Sequence, residues 1–203
     1  MVSVGVHAGE RLPAHIGAVV IGASAGAVHA LGKILPLLPS STPWPVIVVV
    51  HLPASQPSLF ASLFRSKCAL PTGEPVDKQP ISPGIWFAPP DYHLLVESDR
   101  TFALSIDPHV NHSRPAVDVL FESAAEVYGA ALVGIVLTGA SSDGADGAKA
   151  IRDRGGFVIV EEPATAEASM MPREAAHRAA PQWTAGLSEI GDALHDAALR
   201  SER

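Results

Sequence analysis

Three short segments carry residues that could together perform acyl chemistry. Gly22-Ala23-Ser24-Ala25-Gly26 matches G-x-S-x-G, a strand-to-helix turn whose small flanks let the backbone turn tightly at Ser24 and leave room for substrate above its hydroxyl. The helix behind such a turn offers free N–H groups to a developing oxyanion. His51 ends the apolar run VIVVV, where an imidazole could take the serine proton. Asp143 and Asp146 follow the apolar run at 131–137, and either could orient that imidazole. Taken singly, each has a plainer reading: a Gly-rich turn that only permits close packing, a half-buried histidine, a helix N-cap at Asp143, a solvated first-turn charge at Asp146. Their shared position just after apolar runs favours chemistry, because open parallel sheets bind ligands at the carboxyl ends of their strands.

The same Gly-rich turn is also compatible with binding a dinucleotide phosphate. That design requires an acidic or basic residue at the end of the second strand to meet the ribose. Here the strand ends in His51. The Tyr and Lys pair of short-chain dehydrogenases has no counterpart either, since Tyr92 and Tyr128 are followed at that spacing by Val96 and Leu132.

The elements that must position these residues follow from hydrophobic pattern. Residues 17–21 and 43–50 are apolar, β-branched runs without alternation, as expected of parallel strands buried on both faces, and 131–137 and 156–160 read the same way. Helical spacing covers 26–38, 56–67, 116–128, 144–154 and 187–199. Pro172 and Pro181 limit 171–181 to one short helix. Between Thr72 and Ile106, strand-sized pieces separated by Pro, Gly and Asp predict an antiparallel hairpin insertion around residues 84–106. The fold class is therefore α/β, a doubly wound, mainly parallel sheet with helices on both faces. Residues 1–16 lack a clear period and read as a poorly ordered leader, with the domain spanning 17–203.

Composition narrows the partners. Fourteen Lys and Arg against 21 Asp and Glu give a net charge of −7, and no two basic residues are adjacent, which argues against a nucleic-acid or anionic-membrane surface. No apolar run approaches the length of a membrane span, no export signal opens the chain, and the single Cys68 has no partner for an intrachain disulfide, so a cytoplasmic setting is expected. His109-Val110-Asn111-His112 is the nearest thing to a metal motif, but it sits in a Pro-flanked loop with no Glu partner and reads as surface. His29, His93 and His177 read as structural or solvated. Neither a metal nor an organic cofactor is required.

In order along the chain, Val19 to Gly26, His51-Leu52-Pro53, Ala88-Pro89-Pro90-Asp91-Tyr92-His93-Leu94, Arg114-Pro115-Ala116-Val117-Asp118-Val119-Leu120-Phe121, Leu137-Thr138-Gly139 with Asp143-Gly144-Ala145 and Gly147, Pro163-Ala164-Thr165-Ala166-Glu167 and Met171-Pro172 resemble the motifs of the bacterial chemotaxis protein-glutamate methylesterase family. The likeness runs over about 17–199. It implies Ser24 as nucleophile, His51 as general base and acid, and Asp143 as the residue orienting the imidazole. It further implies hydrolysis of glutamyl methyl esters, and deamidation of glutamines, on the cytoplasmic region of methylated chemoreceptors. Backbone N–H groups near Ala25 or Ala140 are the oxyanion candidates. The order Ser, His, Asp differs from that of α/β-hydrolases, which a triad defined by geometry allows.

Departures from the family pattern accompany the likeness. Ser-Thr-Gly-Gly is usual where this chain has Ser24-Ala25-Gly26-Ala27, and Met is usual where it has Ala140. Sixteen leading residues are too few for a phosphoryl-accepting receiver, so the chain reads as a catalytic domain without one. The rival readings are a binding or regulatory module that kept the fold and lost efficient chemistry, and a hydrolase for another acyl substrate.

Overall fold

The computed structural model describes residues 12–51 and 59–201. Seven strands form one parallel sheet in the order β3-β4-β2-β1-β7-β8-β9, built from β1 (Ala18–Ala23), β2 (Pro45–Val50), β3 (Thr72–Gly73), β4 (Gly84–Phe87), β7 (Leu132–Val136), β8 (Phe157–Glu161) and β9 (Trp183–Ala185). The two central strands and their neighbour explain the unalternating runs. Val19 and Ile21 of β1 and Val46, Val48 and Val50 of β2 join one core, while Ala18, Val20, Ile47 and Val49 join the other. Each large aliphatic side chain buried this way contributes on the order of 2 kcal/mol.

Helices α1 (Ala27–Ile34), α2 (Phe60–Arg65) and α6 (Leu187–Arg200) cover the first core, and α3 (Val117–Tyr128), α4 (Ala145–Asp153) and α5 (Met170–Ala179) the second. Pro172 fits inside α5 because it stands in the first turn, where its missing N–H has no intrahelical partner to lose. The helix read over 26–38 is shorter and ends in a 3-10 turn, Leu35–Leu37. That read over 56–67 is seen as α2, residues 56–58 lying outside the described residues.

Two expectations need correction. The insertion is smaller than 84–106: Gly84–Phe87 pairs in parallel with β2, and only β5 (His93–Val96) and β6 (Phe102–Ser105) form the antiparallel hairpin. GIWF is short and apolar, so periodicity alone could not say which sheet it joins. The packed part of the chain also begins before residue 17, since Leu12 and Ile16 are buried in the first core. Most of the expected leader, 1–11, lies outside the described residues, as do Leu52 and Pro53.

The chain runs from β1 outward through β2 to one edge, then returns to β7 on the other side of β1 and runs outward again. The connections therefore diverge at the β1–β7 boundary, the crevice where open α/β sheets bind ligands.

Candidate active site

Ser24 follows β1, His51 follows β2 and Asp143 lies in the loop after β7, so adjacent strands deliver all three to one sheet edge. Backbone hydrogen bonds carry the ladder beyond the strands: Leu137 N–H donates to Gly22 O at 2.9 Å, Ser24 N–H to Thr138 O at 2.9 Å and His51 N–H to Ala23 O at 3.1 Å. The loops thus leave the sheet in fixed register. Ser24 and His51 line one cleft of about 580 Å³ with Gly26, His29, Phe60 and Glu167. Ser24 Oγ has no hydrogen-bond partner among the described residues. The tight turn expected at Ser24 occurs two residues later, at Gly26, whose φ of 85° is in the left-handed region that glycine tolerates best.

His51 and Asp143 are joined directly. His51 Nε2 lies 2.7 Å from Asp143 Oδ2, with the His51 side chain 12% exposed and that of Asp143 fully buried. Nδ1 is then the ring nitrogen left to exchange a proton with another group. Asp143 Oδ2 also accepts Val117 N–H at 2.6 Å, and its Oδ1 accepts Asp118 N–H and Asn111 Nδ2–H, each at 3.1 Å. Burial alone would raise this carboxyl's pKa, but the His51, Val117 and Asn111 donors outweigh it and hold the group below its usual range.

Asp143 was a candidate N-cap for the helix that follows it, yet the N-cap of α4 is Gly144 and Asp143 serves a different helix. Its acceptors meet the first N–H groups of α3, whose own N-cap, Ala116, has no side chain to offer. The exchange is reciprocal. Asp118, in the first turn of α3, accepts Gly144 N–H at 2.9 Å and Gly147 N–H at 2.6 Å at the start of α4. Each helix caps the other, and both carboxylates sit at positive helix ends. The close approach depends on glycine: a Cβ at Gly22 would fall 2.3 Å from Val117 Cγ1, and one at Gly147 2.6 Å from Phe121 Cβ.

Asp118 and Glu161 also belong to the candidate site, and the sequence did not single them out as site residues. Asp118 is buried beside Asp143, and its pKa is pushed up to about 7, by burial first and by the neighbouring negative charge. A carboxylate on the apolar face of an amphipathic helix, one residue from Val117 and three from Phe121, was the available signal. Glu161 closes β8, as His51 follows β2. Its carboxylate accepts Thr138 N–H at 2.7 Å, and burial raises its pKa. Thr138 in turn ties three loops: its Oγ1 donates to Ala25 O at 2.8 Å and accepts Ala168 N–H at 2.8 Å, while its carbonyl takes Ser24 N–H.

The remaining expected residues fall as follows. Ala25 and Ala140 are exposed, and neither amide donates to a protein group among the described residues. Asp146 stands apart from His51, paired with Arg178 on the surface. His109 and His112 are exposed, as read, but Asn111 between them reaches Asp143. His93 is structural: its Nδ1 accepts Ala116 N–H at 3.2 Å and its Nε2 donates to Pro108 O at 3.1 Å, steadying the entry to α3. His29 is exposed but lines the Ser24 cleft. Among the described residues no group of three or more His, Cys, Asp or Glu could hold a metal ion, and no helix is long and apolar enough to cross a membrane.

Comparison with known proteins identifies the family. A family model described as CheB methylesterase matches residues 19–194. A Leptospira interrogans protein, provisionally named protein-glutamate methylesterase/protein-glutamine glutaminase, is 43% identical over 176 residues, covering 86% of this chain and 91% of that protein. The protein-glutamate methylesterase/protein-glutamine glutaminase of Symbiobacterium thermophilum is 37% identical over 187 residues, 92% of this chain but 51% of its own length, so the chain spans about half of that relative. The crystal structure of the Thermotoga maritima CheB methylesterase catalytic domain matches with a TM-score of 0.84 at 31% identity, covering 89% of this chain and 98% of that one. The chain belongs to the CheB methylesterase family.

Proposed function

We propose that this chain is a serine hydrolase that removes methyl esters from glutamyl side chains in the cytoplasmic region of methylated chemoreceptors and deamidates glutamines there. The reading is carried by one observation: a histidine bonded at 2.7 Å to a buried carboxylate shares a cleft with a serine whose hydroxyl has no hydrogen-bond partner among the described residues, in a chain of this family.

In this mechanism His51 Nδ1 takes the Ser24 proton as Oγ attacks the side-chain carbonyl. Asp143 holds the imidazole by Nε2 and stabilises the imidazolium. The oxyanion is met by the amides of Ala25 or Ala140, which donate to no protein group among the described residues and so need no reorganisation to receive it. As the tetrahedral intermediate collapses, His51 returns the proton to the leaving oxygen and methanol departs; from a glutamine the leaving group is ammonia. Water, deprotonated by His51, then hydrolyses the glutamyl–Ser24 ester and restores the hydroxyl.

The test is turnover of a methylated receptor by Ser24→Ala. We expect a loss of at least ~10³-fold with an unchanged circular dichroism spectrum. A serine-directed phosphonate should label Ser24 in the wild type and not in His51→Ala. Full activity in Ser24→Ala refutes the nucleophile assignment. A wild type that binds receptor tails without turning them over is the binding module instead.

A further inference from the structure

We infer that Asn111 is a positioning residue for this reaction, its side-chain amide fixing the orientation of Asp143 by tying it to Asp118. The inference rests on the proposed roles of Ser24, His51 and Asp143, to which it adds the group that holds the acid in place.

Asn111 and His112 are exposed residues between the half-buried Val110 and Ser113. Asn111 sits at the first central position of a tight two-residue turn closed by Val110 and Ser113, whose N–H groups donate to each other's carbonyls at 3.2 and 2.9 Å. Asn111 and His112 both have left-handed φ, 50° and 62°, the conformation of the hairpin turns in which Asn is favoured at the first place. This turn aims the side chain inward. Asn111 Nδ2 lies 2.7 Å from Asp118 Oδ2 and 3.1 Å from Asp143 Oδ1. An NH₂ group has two hydrogens, and here one serves each carboxylate. Rotated by half a turn, the amide would set its oxygen against both, so the orientation is fixed by charge.

The consequence for the reaction is directional. Asp143 meets His51 through Oδ2, whereas Asn111 holds Oδ1, the oxygen that does not face the imidazole. Besides His51, Asn111 is the only side chain among the described residues whose N–H donates to Asp143, the other N–H donors being the backbone amides of Val117 and Asp118. Asp118 is itself fixed by Gly144 and Gly147 N–H, so the amide links the acid to the start of α4. A carboxylate with every oxygen committed cannot swing away as the imidazolium forms, which is the preorganisation a charged transition state rewards.

The experiment measures kcat, KM and the pH profile of kcat/KM for Asn111→Gly and Asn111→Asp on a methylated receptor, with Ser24→Ala in parallel. Glycine tolerates the left-handed backbone of this turn, so that variant removes the amide without straining the loop. We expect Asn111→Gly to lower kcat about tenfold with KM within about twofold, the scale of one lost hydrogen bond to a charged group. The Asn111 donor helps hold the Asp143 carboxyl below its usual range, so losing it lets Asp143 take up a proton at higher pH and should move the acid limb of the profile to higher pH. Asn111→Asp keeps the shape and inverts the chemistry by adding a third carboxylate, and should cost about a hundredfold at neutral pH with a larger displacement of that limb. Profiles that superimpose on the wild type overturn the inference, whether kcat is retained or lowered, because a merely structural loss scales the curve without moving it. If Ser24→Ala keeps its activity, the underlying reading has failed rather than this extension of it.

Discussion

The two halves of the site, on either side of the imidazole, are built on opposite plans. On the serine side Ser24 is half-buried, and among the described residues its hydroxyl has no partner and the amides of the exposed Ala25 and Ala140 donate to no protein group. On the acid side Asp143 is fully buried and accepts from His51, Val117, Asp118 and Asn111. The difference follows from when each charge exists. Asp143 is ionised throughout, and a buried charge without donors would cost several kcal/mol, so its partners are built in. An oxyanion exists only during the reaction, so donors committed to protein groups beforehand would be useless to it. Thr138 reconciles the plans, pinning the carbonyls and amides around Ser24 while leaving the hydroxyl itself clear.

Asp143→Asn strikes this contrast where it is strongest. The amide keeps the shape, but its NH₂ must face two of the four donors, either His51 and Val117 or Asp118 and Asn111, and it cannot stabilise an imidazolium as a carboxylate does. We expect turnover to fall by about 10³ to 10⁴-fold, as for the equivalent change in a serine protease triad, with binding of the receptor little altered. A loss below tenfold would mean that the saturated acid side contributes only to folding.

Asp118 sharpens the contrast within the acid side, since the two neighbouring carboxyls shift in opposite directions. Asp118 is raised to about 7 from an unfolded value near 3.8, so its contribution to stability is complete below about 3.8 and is lost as pH rises through 7. Asp143 is lowered, so its contribution is present above its unfolded value and is lost as pH falls. Asp118→Asn has no such titration. We expect the wild type to lose stability relative to this variant by about 3 to 4 kcal/mol between pH 4 and pH 7.5, read from urea unfolding midpoints across that range. Parallel curves would show that Asp118 titrates like an exposed carboxylate.

Much of this was legible in the chain. VIVVV and the run at 131–137 announced strands buried on both faces, and once those strands are parallel neighbours their next residues must share an edge. That logic brought Ser24, His51 and the Asp143 loop together, and applied to FVIVE it would have reached Glu161 as well. Other features left no local trace. Asn111 looks like any turn asparagine, because its partners lie 7 and 32 residues away and only the folded chain shows that its amide faces inward. The reciprocal capping was hidden by local rules, which assign Asp143 to the helix that follows it rather than to one that begins 26 residues earlier. β4 was misplaced for a related reason: four residues of apolar sequence specify a strand, but not its neighbour.

Asp146 supplies the smallest expected effect and the control for the whole comparison. It stands three residues beyond Asp143, in the first turn of α4, so by sequence alone it could be the acid that orients His51. In the structure it faces outward, 58% exposed, and pairs with an equally exposed Arg178. Exposed pairs of this kind are worth about 0 to 1 kcal/mol, because water screens the attraction and two long side chains must be ordered to make it. Its negative charge also adds slightly to the upward shift of Asp118, so removing it should ease rather than disturb the acid side. We therefore expect Asp146→Asn to leave turnover within about twofold and stability within about 0.5 kcal/mol of the wild type. Should kinetics show Asp146→Asn more damaging than Asp143→Asn, the orienting charge would have to come from the exposed side of α4, and the division between a saturated acid half and an open serine half would no longer describe how the site works.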